Sequence, residues 1–296
     1  HVQGCTPFSP RHRPDRRALS VIESSVNATT HLPVNPVSPV AAYIGGKRNL
    51  ARRLCALIEA TPHDAYAEAF VGMGGVFFRR RTRPKCEIIN DLSGEVANLF
   101  RCMRAHPGAL SDLISLQLQC RADFDREQRV DPTQLTDLQR AARFVFLQKV
   151  AFGGKVTGQD FGMCRDRASR FQASKVGADL MAAGRRLETV VIEQLTWSEF
   201  IRRYDRPGML FYLDPPYFDC EGDYGPGMFD QGQFELMAEQ MAGIRGRLIL
   251  SLNDRPEVRR LFGRFNIEAV GTHYSLQGKG AKPAGEVIIT GGGSRP

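Results

Sequence analysis

Leu213-Asp214-Pro215-Pro216-Tyr217-Phe218 is the stretch that most limits how this chain can fold. It follows an apolar run, Met209-Leu210-Phe211-Tyr212-Leu213, that reads as a buried parallel strand. Two prolines then end the strand, because neither offers a backbone donor and both lock φ. The result is a rigid turn at the carboxyl end of a strand, the edge where open α/β sheets bind ligands. It presents a carboxylate, proline carbonyls and an aromatic face, a set that suits an amino group on a planar ring. The carboxylate of Asp214 and a proline carbonyl can accept the two amine hydrogens while Tyr217 stacks on the ring. The plain alternative is a strand with a proline turn that carries Asp and Tyr by coincidence.

Composition narrows the class. The 296 residues suffice for one large α/β domain with an insertion. A formal charge of +8 fits a polyanionic partner, although a merely basic soluble protein has the same balance. Seven widely spaced cysteines, with no Cys-x-x-Cys, argue for a reducing compartment and against a disulfide framework. The six histidines do not cluster, so no metal is expected. No apolar stretch approaches a membrane span, and the start lacks the apolar core of a signal peptide.

Residues 1–39 read as a disordered tail, with recurring prolines and Arg11, Arg13, Arg16 and Arg17. Ala42-Tyr43-Ile44-Gly45-Gly46-Lys47 then makes a glycine turn before a helix over Asn49 to Ala60. Ala65 to Phe78 reads as strand, glycine-rich turn and helix, the layout of a nucleotide-type cofactor loop. Its Gly72-x-Gly74-Gly75 departs from the dinucleotide pattern and disfavours NAD. A strand from Cys86 to Asn90 ends at Asp91, where a doubly wound fold puts a ribose-binding acid. The alternative for Asp91 is the N-cap of the next helix.

A mostly helical segment follows from Gly94 to about Leu187, and it carries a glycine-rich, hairpin-like loop from Ala151 to Gly162. Lys155, Gln159 and Arg165 are its candidate nucleic-acid contacts. Strands return at Val190 to Gln194, Met209 to Leu213 and Arg247 to Asn253. Asn266 to Val270 and Glu286 to Thr290 read as a closing antiparallel hairpin, joined by a turn that carries Lys279 and Lys282. Cys220 to Gln231 reads as a lid over the turn. The expected fold is α/β: a doubly wound sheet with a terminal antiparallel hairpin and an inserted helical subdomain. Its parts would be residues 40–104 for cofactor binding, 105–187 for target recognition and 188–296 for the Asp-Pro-Pro-Tyr half.

Glycine turn with lysine, glycine loop, acid, and distant Asp-Pro-Pro-Tyr stand in an order that resembles the Dam-type N6-adenine DNA methyltransferases. The likeness spans about residues 42–290. It rests on Tyr43 to Lys47, Glu68 to Gly74, Asn90-Asp91, Phe144 to Gly154, Tyr212 to Tyr217, Ser251 to Asp254 and Glu286 to Thr290. The resemblance implies S-adenosylmethionine as cofactor, with Tyr43, Lys47, Glu68, Phe70, Gly72, Gly74, Asp91 and Asp214 around it. It implies catalysis by Asp214, Pro215, Pro216 and Tyr217 on adenine flipped out of double-stranded DNA. Lys155, Gln159, Arg165, Lys279 and Lys282 would touch the nucleic acid. A cytoplasmic, nucleoid-associated monomer or weak dimer, bacterial or phage-borne, is the implied setting. Three positions depart from the family pattern. Ala69 replaces a proline, Gly153-Gly154-Lys155-Val156 replaces an Asn-Gly loop, and Gln233-Phe234 replaces an Asp-His pair. The familiar GATC target therefore does not carry over. The rival readings are RNA adenine or the cytosine amine as acceptor, or a DNA-binding relic without turnover.

Overall fold

The computed structural model describes residues 31–47, 49–162, 171–224, 227–271 and 285–293. The strands, in chain order, are β1 (Leu32–Pro33), β2 (Ala65–Glu68), β3 (Thr82–Arg83), β4 (Cys86–Asn90) and β5 (Val191–Glu193). They continue with β6 (Met209–Leu213), β7 (Arg247–Asn253), β8 (Asn266–Val270) and β9 (Glu286–Gly292). Seven of them form the main sheet in the order β5-β4-β2-β6-β7-β9-β8. β2, β4, β5, β6 and β7 run parallel, and β9 is antiparallel to both β7 and β8. This is the expected α/β sheet with its terminal hairpin. From β2 the chain steps outward to β4 and β5, then returns to lay β6 on the other side of β2. The crevice at that reversal is where such sheets bind ligands.

Side-chain alternation on the strands feeds two cores. Tyr66, Ile89, Leu210, Tyr212 and Ile249 face one side, while Ala65, Ala67, Phe211, Leu213 and Leu250 face the other. Burying each large apolar side chain is worth roughly 1.5–3 kcal/mol. The second face is covered by the helices Trp197–Tyr204, Gly232–Ala242 and Pro256–Leu261. The first is covered by Ala51–Ala60 and by helices of the long segment before β5, namely Gly94–Ala105, Pro107–Ser115, Asp137–Val150 and Ala173–Leu187. Leu99, Phe100, Leu110, Phe146 and Leu180 from this segment join the same core as the strand residues. The helical insertion therefore packs on the sheet as a continuous layer. Thr136 and Gln139 form a reciprocal capping box ahead of Asp137–Val150.

Two expectations need correction. Residues 31–39 are not tail. β1 pairs with β3, Val34 N–H donates to the Arg81 carbonyl at 2.8 Å, and Val37 N–H donates to the Phe78 carbonyl at 2.8 Å. The prolines hide this in the sequence, yet a short edge pairing asks little of the chain's backbone donors. The remainder of the expected tail lies outside the described residues. The second correction concerns the glycine loop, which is followed by a single 3-10 turn, Phe77–Arg79, and not by a helix. Arg80 turns inward there, forms an ion pair with buried Glu87, and lies 3.8 Å over the Tyr66 ring. Arg186 closes on the same carboxylate at 2.6 and 2.8 Å.

Candidate active site

The turn after β6 is held at both ends. Backbone pairing of β2 with β6 runs one step past Glu68, where Ala69 N–H donates to the Tyr212 carbonyl at 3.1 Å. Beyond the prolines, the buried Asn253 side chain clamps Phe218. Its Oδ1 accepts from Phe218 N–H and its Nδ2 donates to the Phe218 carbonyl, both at 2.9 Å. The amide thus replaces a strand partner at the point where β7 ends. Between these anchors Pro215 and Pro216 leave the backbone little freedom.

Asp214 emerges from this turn with a side chain 18% exposed. Lys47 Nζ, from the glycine turn, stands 2.9 Å from its Oδ1. Ser251 Oγ, from β7, donates to it at 3.0 Å. Burial raises the Asp214 carboxyl above the usual aspartate range, and Lys47 and Ser251 oppose that rise. Lys47 also donates to the Tyr217 hydroxyl at 2.7 Å, with its ammonium 4.1 Å from the Tyr217 ring centre. Glu286 of β9 lies 4.0 Å away from the same ammonium. The lysine expected to face a cofactor is therefore committed to the carboxylate of the turn.

The glycine loop lies across the crevice. Gly72 has φ +49°, and a Cβ there would come within 3.0 Å of the Tyr43 ring. Only glycine lets Tyr43 pack onto the loop in this way. Gly72 N–H donates to Asp91 Oδ2 at 2.9 Å, and Ser93 N–H donates to Asp91 Oδ1 at 2.9 Å. Ser93, and not Asp91, caps the next helix by accepting from Val96 N–H. Asp91 is thus tied to the loop and remains on the cavity wall. Burial pushes its carboxyl up to about 6 against the pull of those two donors. Asn90 beside it donates to the carbonyls of Ala69 and Leu195 at 2.9 and 3.0 Å and accepts from Leu195 N–H at 2.8 Å. One buried amide so fixes the ends of three strands. Glu68 is buried and accepts from the Tyr66 hydroxyl at 2.8 Å. Desolvation pushes its carboxyl up to about 8.

These parts enclose a cavity of about 570 Å³. Of the expected cofactor residues, Tyr43, Lys47, Glu68, Phe70, Gly72, Asp91 and Asp214 line it. Gly74 does not. It supports the loop from behind with φ +72°, its Cα packed so closely on Phe78 that a Cβ would fall 2.4 Å from that ring. Pro216 lines the cavity, whereas Pro215 and Tyr217 are not part of its wall. Lys155 and Gln159 lie apart, on the loop closed by the Ala151–Phe161 bridge, and Gln159 Nε2 donates to the Lys155 carbonyl at 2.8 Å. Arg165, Lys279 and Lys282 fall outside the described residues.

Several wall residues were not anticipated. Trp197, Met228 and Phe229 line the cavity, and Trp197 is held by donating to Gln233 Oε1 at 2.8 Å. The residue that departs from the family's Asp-His pair thus fixes an aromatic wall. Lys149 also lines the cavity, from the last turn of Asp137–Val150, half-buried and with no ion pair among the described residues. Burial lowers its ammonium below the usual lysine range. A polar residue near the end of an apolar helix was the only sequence sign of it. No His, Cys, Asp or Glu group among the described residues is arranged to hold a metal, and no described helix is long and apolar enough to cross a membrane.

Residues 43–275 match the D12 class N6 adenine-specific DNA methyltransferase family. The chain belongs to this family. This D12-class methyltransferase accordingly acts on adenine N6 in DNA and requires a methyl donor. It is 25% identical over 294 residues to type II methyltransferase M1.LlaDCHI of Lactococcus lactis subsp. cremoris, across 86% of this chain and 96% of that protein. It is 19% identical over 231 residues to type II methyltransferase M.CviBI of Paramecium bursaria Chlorella virus NC1A, across 76% of this chain and 86% of that protein. A looser likeness, with TM-score 0.39 and 11% identity, is to a Pyrococcus horikoshii structure described as an RNA methyltransferase, covering 93% of this chain and 96% of that one. The D12 match takes in the glycine turn, the glycine loop, Asp91, the helical layer and the Asp-Pro-Pro-Tyr turn, the parts that build the cavity.

Proposed function

We propose that the cavity binds S-adenosylmethionine beside Asp214, and that Asp214 receives adenine flipped out of double-stranded DNA for sequence-specific methylation. The observation that carries this reading is the meeting of the glycine loop, Asp91 and Asp214 on one cavity at the strand reversal. The donor set fits this cofactor. Asp91 offers a carboxylate to ribose hydroxyls, Glu68 offers one to an ammonium, and Lys149 offers an uncommitted cation to a carboxylate. Phe70, Trp197 and Phe229 offer apolar walls to a purine. Gly72 keeps the cradle open where a side chain would collide with Tyr43.

When bound, S-adenosylmethionine supplies a methyl group whose bond to cationic sulfur breaks as the bond to N6 forms, its electron pair staying on sulfur. The protein's part is orientation and charge stabilisation. Asp214 accepts an amine hydrogen, draws electron density onto N6, and takes the proton released once N6 is methylated. The Pro215 carbonyl accepts the second hydrogen. Tyr217 stacks on the base. Lys155, Gln159, Arg165, Lys279 and Lys282 contact the DNA, and the protein works as a monomer or weak dimer. The two type II relatives favour a restriction-modification setting.

The test is transfer of radiolabelled methyl from S-adenosylmethionine to unmethylated DNA, followed by digestion to nucleosides. Label is expected in N6-methyladenine and should fall at least about a thousandfold in Asp214→Ala. Label in N4-methylcytosine, or equal labelling by the variant, would sink the reading.

A further inference from the structure

The two oxygens of Asp214 have different surroundings. Lys47 Nζ and Ser251 Oγ both reach Oδ1, at 2.9 and 3.0 Å, and no described residue hydrogen-bonds Oδ2. Asp214 nevertheless lines the cavity. Behind Ser251, fully buried, lies the Tyr212 hydroxyl at 2.9 Å, itself fully buried. A hydroxyl has one hydrogen to give. Ser251 gives its hydrogen to the carboxylate, so Tyr212 must give its own to Ser251. The result is a one-way chain of hydrogen bonds from Tyr212 through Ser251 to Asp214 Oδ1.

The outer torsion of an aspartate is soft, and an unsupported carboxylate would swing between orientations. Two donors on one oxygen, on a backbone already fixed by prolines, remove that freedom. We propose that Ser251, backed by Tyr212, is a positioning residue that locks Asp214 through Oδ1 and presents Oδ2 alone to the target amine. This rests on reading the cavity as the methyl-transfer site.

The groups around Asp214 also set its charge. Lys47 and Ser251 favour the ionised form, whereas Glu286 across the lysine disfavours it. Among the described residues, Glu68 and the hydroxyls of Tyr212, Tyr66 and Tyr217 are further titratable groups at the ends of β2, β6 and the turn. Removing the Ser251 hydroxyl withdraws one donor from the carboxylate, so the remaining group holds its proton to higher pH.

The experiment compares wild type, Ser251→Ala, Ser251→Thr and Tyr212→Phe in steady-state methylation of DNA from pH 5.5 to 9. Binding of S-adenosylhomocysteine and thermal melting are measured on each. In Ser251→Ala, kcat should fall about tenfold. Its acid limb should move to higher pH, while cofactor affinity stays within about twofold. Tyr212→Phe should move both quantities the same way by less, and Ser251→Thr, which keeps the hydroxyl, should restore the wild-type acid limb. An unchanged pH profile in Ser251→Ala would overturn the inference, whatever happens to kcat or melting, because a merely structural role would leave that limb in place. A wild type that binds S-adenosylhomocysteine but labels no adenine would instead overturn the reading of the site itself.

Discussion

Two lysines line the cavity, and Lys47 is already committed to Asp214 while Lys149 is not. Lys149→Gln should therefore weaken S-adenosylhomocysteine binding roughly tenfold. Binding of 5′-methylthioadenosine, which lacks the amino-acid carboxylate, should not change, and calorimetry on both ligands checks this. Equal losses on both would remove Lys149 from that role. Glu68 gives a second residue-scale prediction. Its native carboxyl is raised to about 8, so between the unfolded value near 4.5 and 8 the native state holds the extra proton. Stability of the ligand-free protein then falls as pH rises through that window. Melting temperatures at pH 7 and 9, compared with those of Glu68→Gln, isolate Glu68, because Asp91, raised only to about 6, has already ionised and the buried thiols of Cys55 and Cys102 act alike in both proteins. In Glu68→Gln the drop across that interval should shrink by several degrees. Sequence alone located Asp214, Glu68 and Asp91, because each ends a readable strand. It could not assign the partner of Lys47, since the turn, β6 and β9 meet only in three dimensions.

Among the elements, the glycine loop separates two kinds of glycine that look alike in the sequence. Gly74 has a positive φ and backs onto Phe78, whereas an added Cβ at Gly75 would meet only ordinary contacts at 3.8 Å. Gly74→Ala should cost about 2–3 kcal/mol of stability in denaturant melts. Gly75→Ala should stay within about 1 kcal/mol. Reversal of that order would contradict the loop geometry. The strand pattern was legible because short apolar runs of strand length mark β6, β7 and β9. The segment after the loop was not, because its apolar run suits a helix until Arg80 turns inward to Glu87. β1 was equally hidden, since its two-residue pairing with β3 leaves no periodicity to detect.

For the whole molecule, the cavity joins β2, β4 and β6 with the glycine turn and the helical layer. A ligand there should stabilise all of them together. S-adenosylmethionine at a hundred times its Kd would add about 2.7 kcal/mol to unfolding. A rise of roughly 5 °C or more in melting temperature is then expected, and it should be lost in Asp91→Ala. No rise in the wild type would count against the cofactor. The fold and the Asp-Pro-Pro-Tyr turn were readable because motif order survives in a linear string. The continuous packing of the helical layer on the sheet was not, because the core it shares with β2, β4 and β6 is assembled from distant residues.

The order of the main sheet bears on how a ribosome must deliver this chain. β2 acquires β4 almost at once, but its other neighbour, β6, begins only at Met209. At roughly 5–20 residues per second, β2 waits on the order of ten seconds with one edge unpaired. Through that interval the nascent chain exposes an apolar strand edge of the kind that recruits chaperones or pairs with a neighbouring chain. A synonymous recoding that slows translation between β5 and β6 would lengthen the wait, with more protein lost to inclusion bodies and none of its amino acids altered.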